Sequence, residues 1–184
     1  MRTTVPLAER RSDWVFIAFW ILNLTFITYI VDLEQLVIAN PADFAYPIWP
    51  PAPLVDLVHW WGITFDPALY ARPPWWRATI WIDVLLFGPF YAAAIFAYWK
   101  GRDWIRNPSL IWCGLMFANV TIILFEELQG SHATPVRSMV LLANAPWLLM
   151  PIATAVRMWS EHPFSRARTA ESQMQTPRAV DRVW

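Results

Sequence analysis

Four stretches of the chain are almost free of charge. Trp14 to Val31, Asn107 to Phe125 and Ser138 to Val156 contain no charged side chain, and Thr79 to Trp99 contains one, Asp83. A helix needs ~20 mainly apolar residues to cross ~30 Å of hydrocarbon, and all four stretches fall in that range. Lipid offers no partner to a free N–H or C=O, so each stretch is expected to be helical. Trp14, Trp75, Trp76, Trp99 and Trp104 sit near the ends of these stretches, where amphipathic rings anchor at the membrane interface. The pattern therefore predicts an all-α fold, a four-helix transmembrane bundle.

The segments between the spans give the organisation. Residues 1–13 form a short N-terminal arm, 14–159 the four-span domain, and 160–184 a polar tail of mixed charge that is expected to be disordered. The first span follows Arg2, Arg10 and Arg11, but no small-x-small cleavage site comes after it, so it reads as a retained signal-anchor. Loop one, Leu33 to Arg77, is long. Pro41, Pro47, Pro50, Pro51 and Pro53 exclude a long helix in its first half, and Leu54 to Trp61 can form a short interfacial helix with Pro53 at its start. Lys100 to Arg106 is a tight hairpin. Of the 14 Lys and Arg residues, only Arg72, Arg77 and Arg137 lie on the loop-one side. The positive-inside rule then places both termini in the cytosol. The membrane is expected to be the endoplasmic reticulum in a eukaryote or the inner membrane in a bacterium.

Composition agrees with this pattern. The chain has 184 residues, 57% hydrophobic and 15% charged, against the roughly 25% charged of a soluble domain. The formal net charge is zero, so no nucleic-acid partner is expected. The single cysteine, Cys113, lies in an apolar run and reads as a small buried hydrophobe. His59, His132 and His162 fall in loops or the tail without metal-ligand spacing, and no cofactor or metal is expected.

Polar groups inside the spans are the candidates for chemistry. At ~1.5 Å rise per residue, Asp83, Asn119 and Asn144 each lie ~9–10 Å below the non-cytosolic end of their spans. Asp32 closes span one just above that layer, and Thr28 lies one turn beneath it. The expected ligand pocket is therefore in the non-cytosolic half. Asn and Thr in spans also serve as interhelical glue, and both readings stay open for them. Glu34, Asp56, Glu126 and Glu127 sit at span ends or in loops, where a solvated charge is the ordinary state; Glu126 is kept as a ligand-binding candidate. Asp66 precedes Pro67 and fits a helix start. An acid in an apolar pocket can pair with a ligand cation or, carrying its proton, protonate an alkene. An aromatic wall stabilises a cation through its π face, and Trp147, one turn after Asn144, is placed for that.

Several segments together resemble the EXPERA family. They are Tyr29 to Val37 (YIVDLEQLV), Thr64 to Trp76 (TFDPALYARPPWW), Ile82 to Phe90 (IDVLLFGPF), Tyr98 to Trp112 (YWKGRDWIRNPSLIW), Leu124 to Leu128 (LFEEL) and Ala143 to Ile152 (ANAPWLLMPI). They occur in the family's order, and the resemblance covers about residues 12 to 160. It is strongest to the sigma-2 receptor branch and weaker to the emopamil-binding sterol isomerases. The receptor branch implies three acids, one ending span one, one from loop one and one in span two. These match Asp32, Asp66 and Asp83, with Asp83 standing where the receptor has Glu. The isomerase branch implies a His and a Glu one turn apart in span two, matched here by Thr79 and Asp83, so the His is missing. It also implies an Asn-x-x-Trp pair in span four, which Asn144 and Trp147 reproduce.

Three functions remain open from the sequence. The first is a lipid-binding protein in which Asp32, Asp66 and Asp83, with Thr28, Thr79, Asn119 and Glu126, hold a sterol-like, isoprenoid or hydrophobic amine ligand. The second is an isoprenoid isomerase or cyclase, with Asp83 as proton donor, Trp147 stabilising a carbocation and Asn144 orienting the substrate. The third is a structural membrane partner in which the polar layer is glue. The expected partners are a lipophilic small molecule and membrane lipid, and assembly as a homodimer stays open.

Overall fold

The computed structural model describes residues 2–167. Six helices are introduced in chain order: α1 (Asp13–Val37), α2 (Ala52–Thr64), α3 (Pro67–Ala71), α4 (Pro74–Lys100), α5 (Arg106–Gln129) and α6 (Arg137–Arg157). A 3-10 turn, Asp103–Ile105, leads into α5. α1, α4, α5 with that turn, and α6 are long and apolar enough to span a bilayer. The protein is an integral membrane protein. Leu85, Leu86, Ile111, Phe125, Leu142 and Ile152 point outward and exposed, as lipid-facing side chains must. A soluble protein keeps no such girdle in water.

Two of the spans are not regular α-helix throughout. α1 widens to π-helical turns over Asn23–Asp32, and α4 does so over Asp83–Phe87. In α4 the cause is local, because Pro89 has no N–H to return to the preceding turn. The two helices meet closely beside this turn. A Cβ at Gly88 would stand 2.8 Å from the Tyr29 hydroxyl and 3.0 Å from Thr28 Cγ2, so only glycine permits the approach. π turns are frequent at functional sites, and these two carry Asp32 and Asp83.

α1 runs five residues past Asp32, to Val37. Asp32 is therefore inside the fold instead of closing the span. Loop one folds back as α2 and α3. α2 starts at Ala52, slightly before the expected Leu54, with Pro51 before it and Pro53 in its first turn. Glu34, expected in solvent, is fully buried. Arg72 donates two hydrogen bonds to it, at 2.9 and 2.7 Å, and His59 Nε2 lies at 2.8 Å. Arg72 also bonds the Ile38 carbonyl and takes a left-handed φ of 51° at the end of α3. This cluster pins α2 and α3 over the end of the bundle. Asp56 does stay at the surface, accepting from the Tyr46 hydroxyl at 2.7 Å. Trp14, Trp99 and Trp104 are about half exposed at the opposite end, whereas Trp76 turns inward and is buried.

At that opposite end the N-terminal arm is joined to the segment that follows α6. Arg2–Thr4 (β1) pairs antiparallel with Ser165–Ala167 (β2). Asp13, fully buried, accepts from Arg157 at 2.7 and 3.0 Å and pairs with Arg10. The Phe164 ring lies between the two guanidiniums, 4.8 and 4.7 Å from them. The first residues after 159 are thus held against the N-terminal arm, while 168–184, the rest of the expected disordered tail, lie outside the described residues.

Asp13→Asn leaves the buried Arg10 and the partly buried Arg157 without a counter-charge. Breaking a buried pair from one side costs roughly 3–5 kcal/mol. The thermal midpoint in detergent, followed by tryptophan fluorescence, should fall sharply for Asp13→Asn. It should stay in place for Glu9→Gln, whose 4.0 Å contact with Arg166 is exposed. Equal midpoints for both variants would contradict this account of the clasp.

Candidate functional site

A cavity of about 380 Å³ opens at the end of the bundle capped by α2 and α3. All four spans and both cap helices line it. Its walls are mainly apolar, including Phe26, Ile27, Ile30, Leu57, Trp61, Ile123 and Met116. Four carboxyl groups face into it, Asp32, Asp66, Asp83 and Glu127, each from a different element. All four are buried.

The acids come as two pairs. The Asp32 and Asp83 carboxyls are within hydrogen-bonding reach of each other. Their alignment follows from the two π turns, which bring α1 and α4 into register. Thr28 Oγ1 donates to Asp83 at 3.2 Å. Gln35 Nε2 is 3.5 Å from Asp32 and 3.1 Å from the Val31 carbonyl, and Gln35 Oε1 accepts from the Trp76 indole at 2.6 Å. The second pair is Asp66 and Glu127. Asp66 is the N-cap of α3, accepting from the Leu69 amide at 3.0 Å. Burial pushes its carboxyl up from the ordinary value, against the Leu69 and Ala68 amides and the Glu127 side chain, which pull it down. Asn144 Nδ2 donates to Glu127 at 3.3 Å and to the Val140 carbonyl at 3.0 Å. An ionised carboxyl is acceptor-only, so two carboxyls at this distance need a proton or a cation between them.

The remaining candidates divide cleanly. Thr79, Asn119, Asn144 and Trp147 line the cavity. Thr79 gives its hydroxyl hydrogen to the Trp76 carbonyl at 2.7 Å. Trp147 is held by its N–H to Asn23 Oδ1 at 2.8 Å, and Asn23 is held in turn by the Phe19 carbonyl. Thr28 lies behind the wall and reaches the cavity only through Asp83. Glu126 is outside it; its carboxylate accepts from Ser131 Oγ at 3.0 Å and from the His132 amide at 2.9 Å. Its neighbour Glu127, expected in solvent, is the α5 carboxyl that faces inward. Met116, Val120 and Ile123 set the inward face of α5 at spacings of four and three, and the next member of that series is residue 127. Gln35 was not singled out by sequence and Trp76 was read only as an interface anchor, since each acts through a partner on another element.

The sequence model of the EXPERA (EXPanded EBP) superfamily matches residues 53–158. Over 165 residues the chain is 28% identical to the Sigma intracellular receptor 2 of Xenopus tropicalis, covering 84% of this chain and 91% of that protein. It is 25% identical over 167 residues to the Homo sapiens protein of the same name, covering 83% and 90%. The Macaca fascicularis protein is 24% identical over 168 residues, covering 84% and 90%. With a family match over more than half its length, four apolar spans and relatives aligned over 83–84% of the chain, this chain belongs to the EXPERA family of integral membrane proteins.

Proposed function

We propose that this protein binds a sterol-like or other isoprenoid lipid, or a hydrophobic amine, in the acidic cavity. The observation that carries this reading is the convergence of four buried carboxyls on one largely apolar space. A cavity of about 380 Å³ fits a small lipophilic molecule, within the roughly 300–1,000 Å³ of such sites. The apolar walls take the hydrocarbon body, and a cationic or polar head replaces the proton of an acid pair. Glue alone would pack these groups against each other with no space between. The EXPERA membership and the receptor-named relatives support the same class. The excess of Lys and Arg at the clasp end supports a cytosolic location for both termini and, with it, a cavity in the non-cytosolic half.

Asp32→Asn should weaken binding of a hydrophobic tertiary amine by roughly ten- to a hundredfold, since a desolvated hydrogen bond to a charged group contributes about 1.5–3 kcal/mol. Glu126→Gln, outside the cavity, should leave affinity unchanged. Radioligand binding to membranes decides between them, and parallel losses would remove Asp32 from the head-group site.

A second reading is favoured by one arrangement. Asn144 and Trp147 stand in the same wall as Glu127, across the cavity from the Asp32–Asp83 pair. In an alkene isomerisation, Asp83 gives its proton to one alkene carbon, forming a C–H bond and a carbocation. Trp147 offers its π face to that cation. Glu127 then removes a proton from the neighbouring carbon, and those electrons form the shifted double bond. In nanodiscs with sterol alkenes and deuterated buffer, wild type should give a deuterium-labelled isomer, and Asp83→Asn should lose turnover by about 10²–10⁴-fold. A wild type that converts no alkene across a broad panel would leave the binder.

Orientation has its own measurement. In a Cys113→Ala background, Glu161→Cys should react with an impermeant maleimide only from the cytosolic side. Ile63→Cys, on the exposed face of α2, should react only from the other. Labelling of both from one side would refute the topology.

A further inference from the structure

Below the cavity, the bundle contains polar groups that the ligand site does not use. Among the described residues, eight buried side-chain polar atoms have no hydrogen-bond partner in the protein. Four of these, with no other polar side chain in reach, lie in the half of the bundle between the cavity and the terminal clasp. They are the hydroxyls of Tyr98, Ser109 and Thr154 and the indole N–H of Trp20. Their residues are at most 2% exposed. Each of the four spans contributes at least one.

They are neighbours. The Trp20 ring is 5.8 Å from Tyr91, 6.2 Å from Tyr98 and 4.7 Å from Trp112. Ser109 is one turn before Trp112 and Cys113 on α5, and Cys113 lies against Ala155, next to Thr154 on α6. At the upper end the Tyr91 hydroxyl is within hydrogen-bonding reach of Asp83 and of the Trp112 indole, and at the lower end the Tyr98 carbonyl accepts from Arg10 at 2.9 Å. Hydroxyls elsewhere in this fold behave differently. Thr25 and Thr121 bond carbonyls four residues back, at 2.8 and 2.7 Å. Ser109 and Thr154, in the same kind of helix, do not. Buried polar groups in folded proteins are satisfied by protein or by ordered water. Four left bare would cost a large part of the net stability of an ordinary domain. Adjacent polar groups from four helices give a water the two to four partners it needs.

We infer that this half of the bundle is a binding site for a file of ordered waters, strung from Tyr91 to Tyr98, and that the file exchanges protons with Asp83 through Tyr91. It is separate from the lipid site, and it stands whether the cavity serves a binder or an isomerase.

Radiolytic hydroxyl labelling in ¹⁸O water reads bound water inside a membrane protein directly. In wild-type protein in nanodiscs, Trp112 and Tyr98 should label as readily as the exposed Trp159, while Val55, fully buried on α2 outside this half of the bundle, should not. The triple variant Tyr98→Phe, Ser109→Ala, Thr154→Val should lose the label at Trp112 and unfold at lower temperature, and Thr154→Val alone should do so in part. The sign of the stability change is diagnostic, because stripping a bare hydroxyl from a dry core raises the midpoint, whereas stripping a water ligand lowers it. Silent Trp112 and Tyr98 in wild type, or a raised midpoint in the variants, would overturn the site. The link to Asp83 is read by infrared spectroscopy. The carboxyl C=O band that Asp83→Asn removes should shift several times more slowly after transfer to D2O in Tyr91→Phe. An unchanged rate would overturn the link.

Discussion

A carboxyl group cannot face hydrocarbon alone, and the architecture around the cavity follows from that constraint. Moving an ionised carboxylate out of water into an apolar medium is far more costly than any single packing contact can offset. The four cavity acids are therefore buried in pairs and supported by Thr28, Gln35, Asn144 and the Leu69 amide. The π turns of α1 and α4, the glycine at their contact and the folding of α2 and α3 over the top all bring pairs together. A fifth acid, Glu34, has met the same constraint in another way, by neutralisation against Arg72. It holds the cap in place and is absent from the cavity lining.

The spans were legible in the sequence because charge-free runs of that length have one stable form in lipid. The polar layer was legible because helical rise converts residue counts into depth, and Asp83, Asn119 and Asn144 do share one space. The acids at span ends were not legible. Glu34 and Glu127 follow apolar runs just as solvated charges do, and only the return of loop one buries them. Arg72, the partner of Glu34, is 38 residues away. Glu126 and Glu127 differ by a single step of helix rotation, which depth alone does not separate, although the spacing of Met116, Val120 and Ile123 does. The π turns also left no trace in hydrophobic periodicity beyond Pro89.

The likeness to two branches of one family acquires physical content at particular positions. Thr79 occupies the place of the isomerase histidine, and its hydroxyl is turned to a backbone carbonyl. The wall holding Asn144, Trp147 and Glu127 is nonetheless intact. The cavity lining thus departs from the isomerase resemblance at Thr79 and keeps it at Asn144 and Trp147.

The joining of the N-terminal arm to the segment after α6 has a mechanical consequence. β1, β2, Asp13 and Phe164 tie the first and last spans at one end, so the chain is nearly a closed ring there. A ring clamped on one rim can splay only at the other. Pro146 and Pro151 weaken the backbone ladder of α6 in its cavity half and middle. Thermal breathing of the bundle is thereby concentrated at the cavity end, and the clasp acts as the fulcrum.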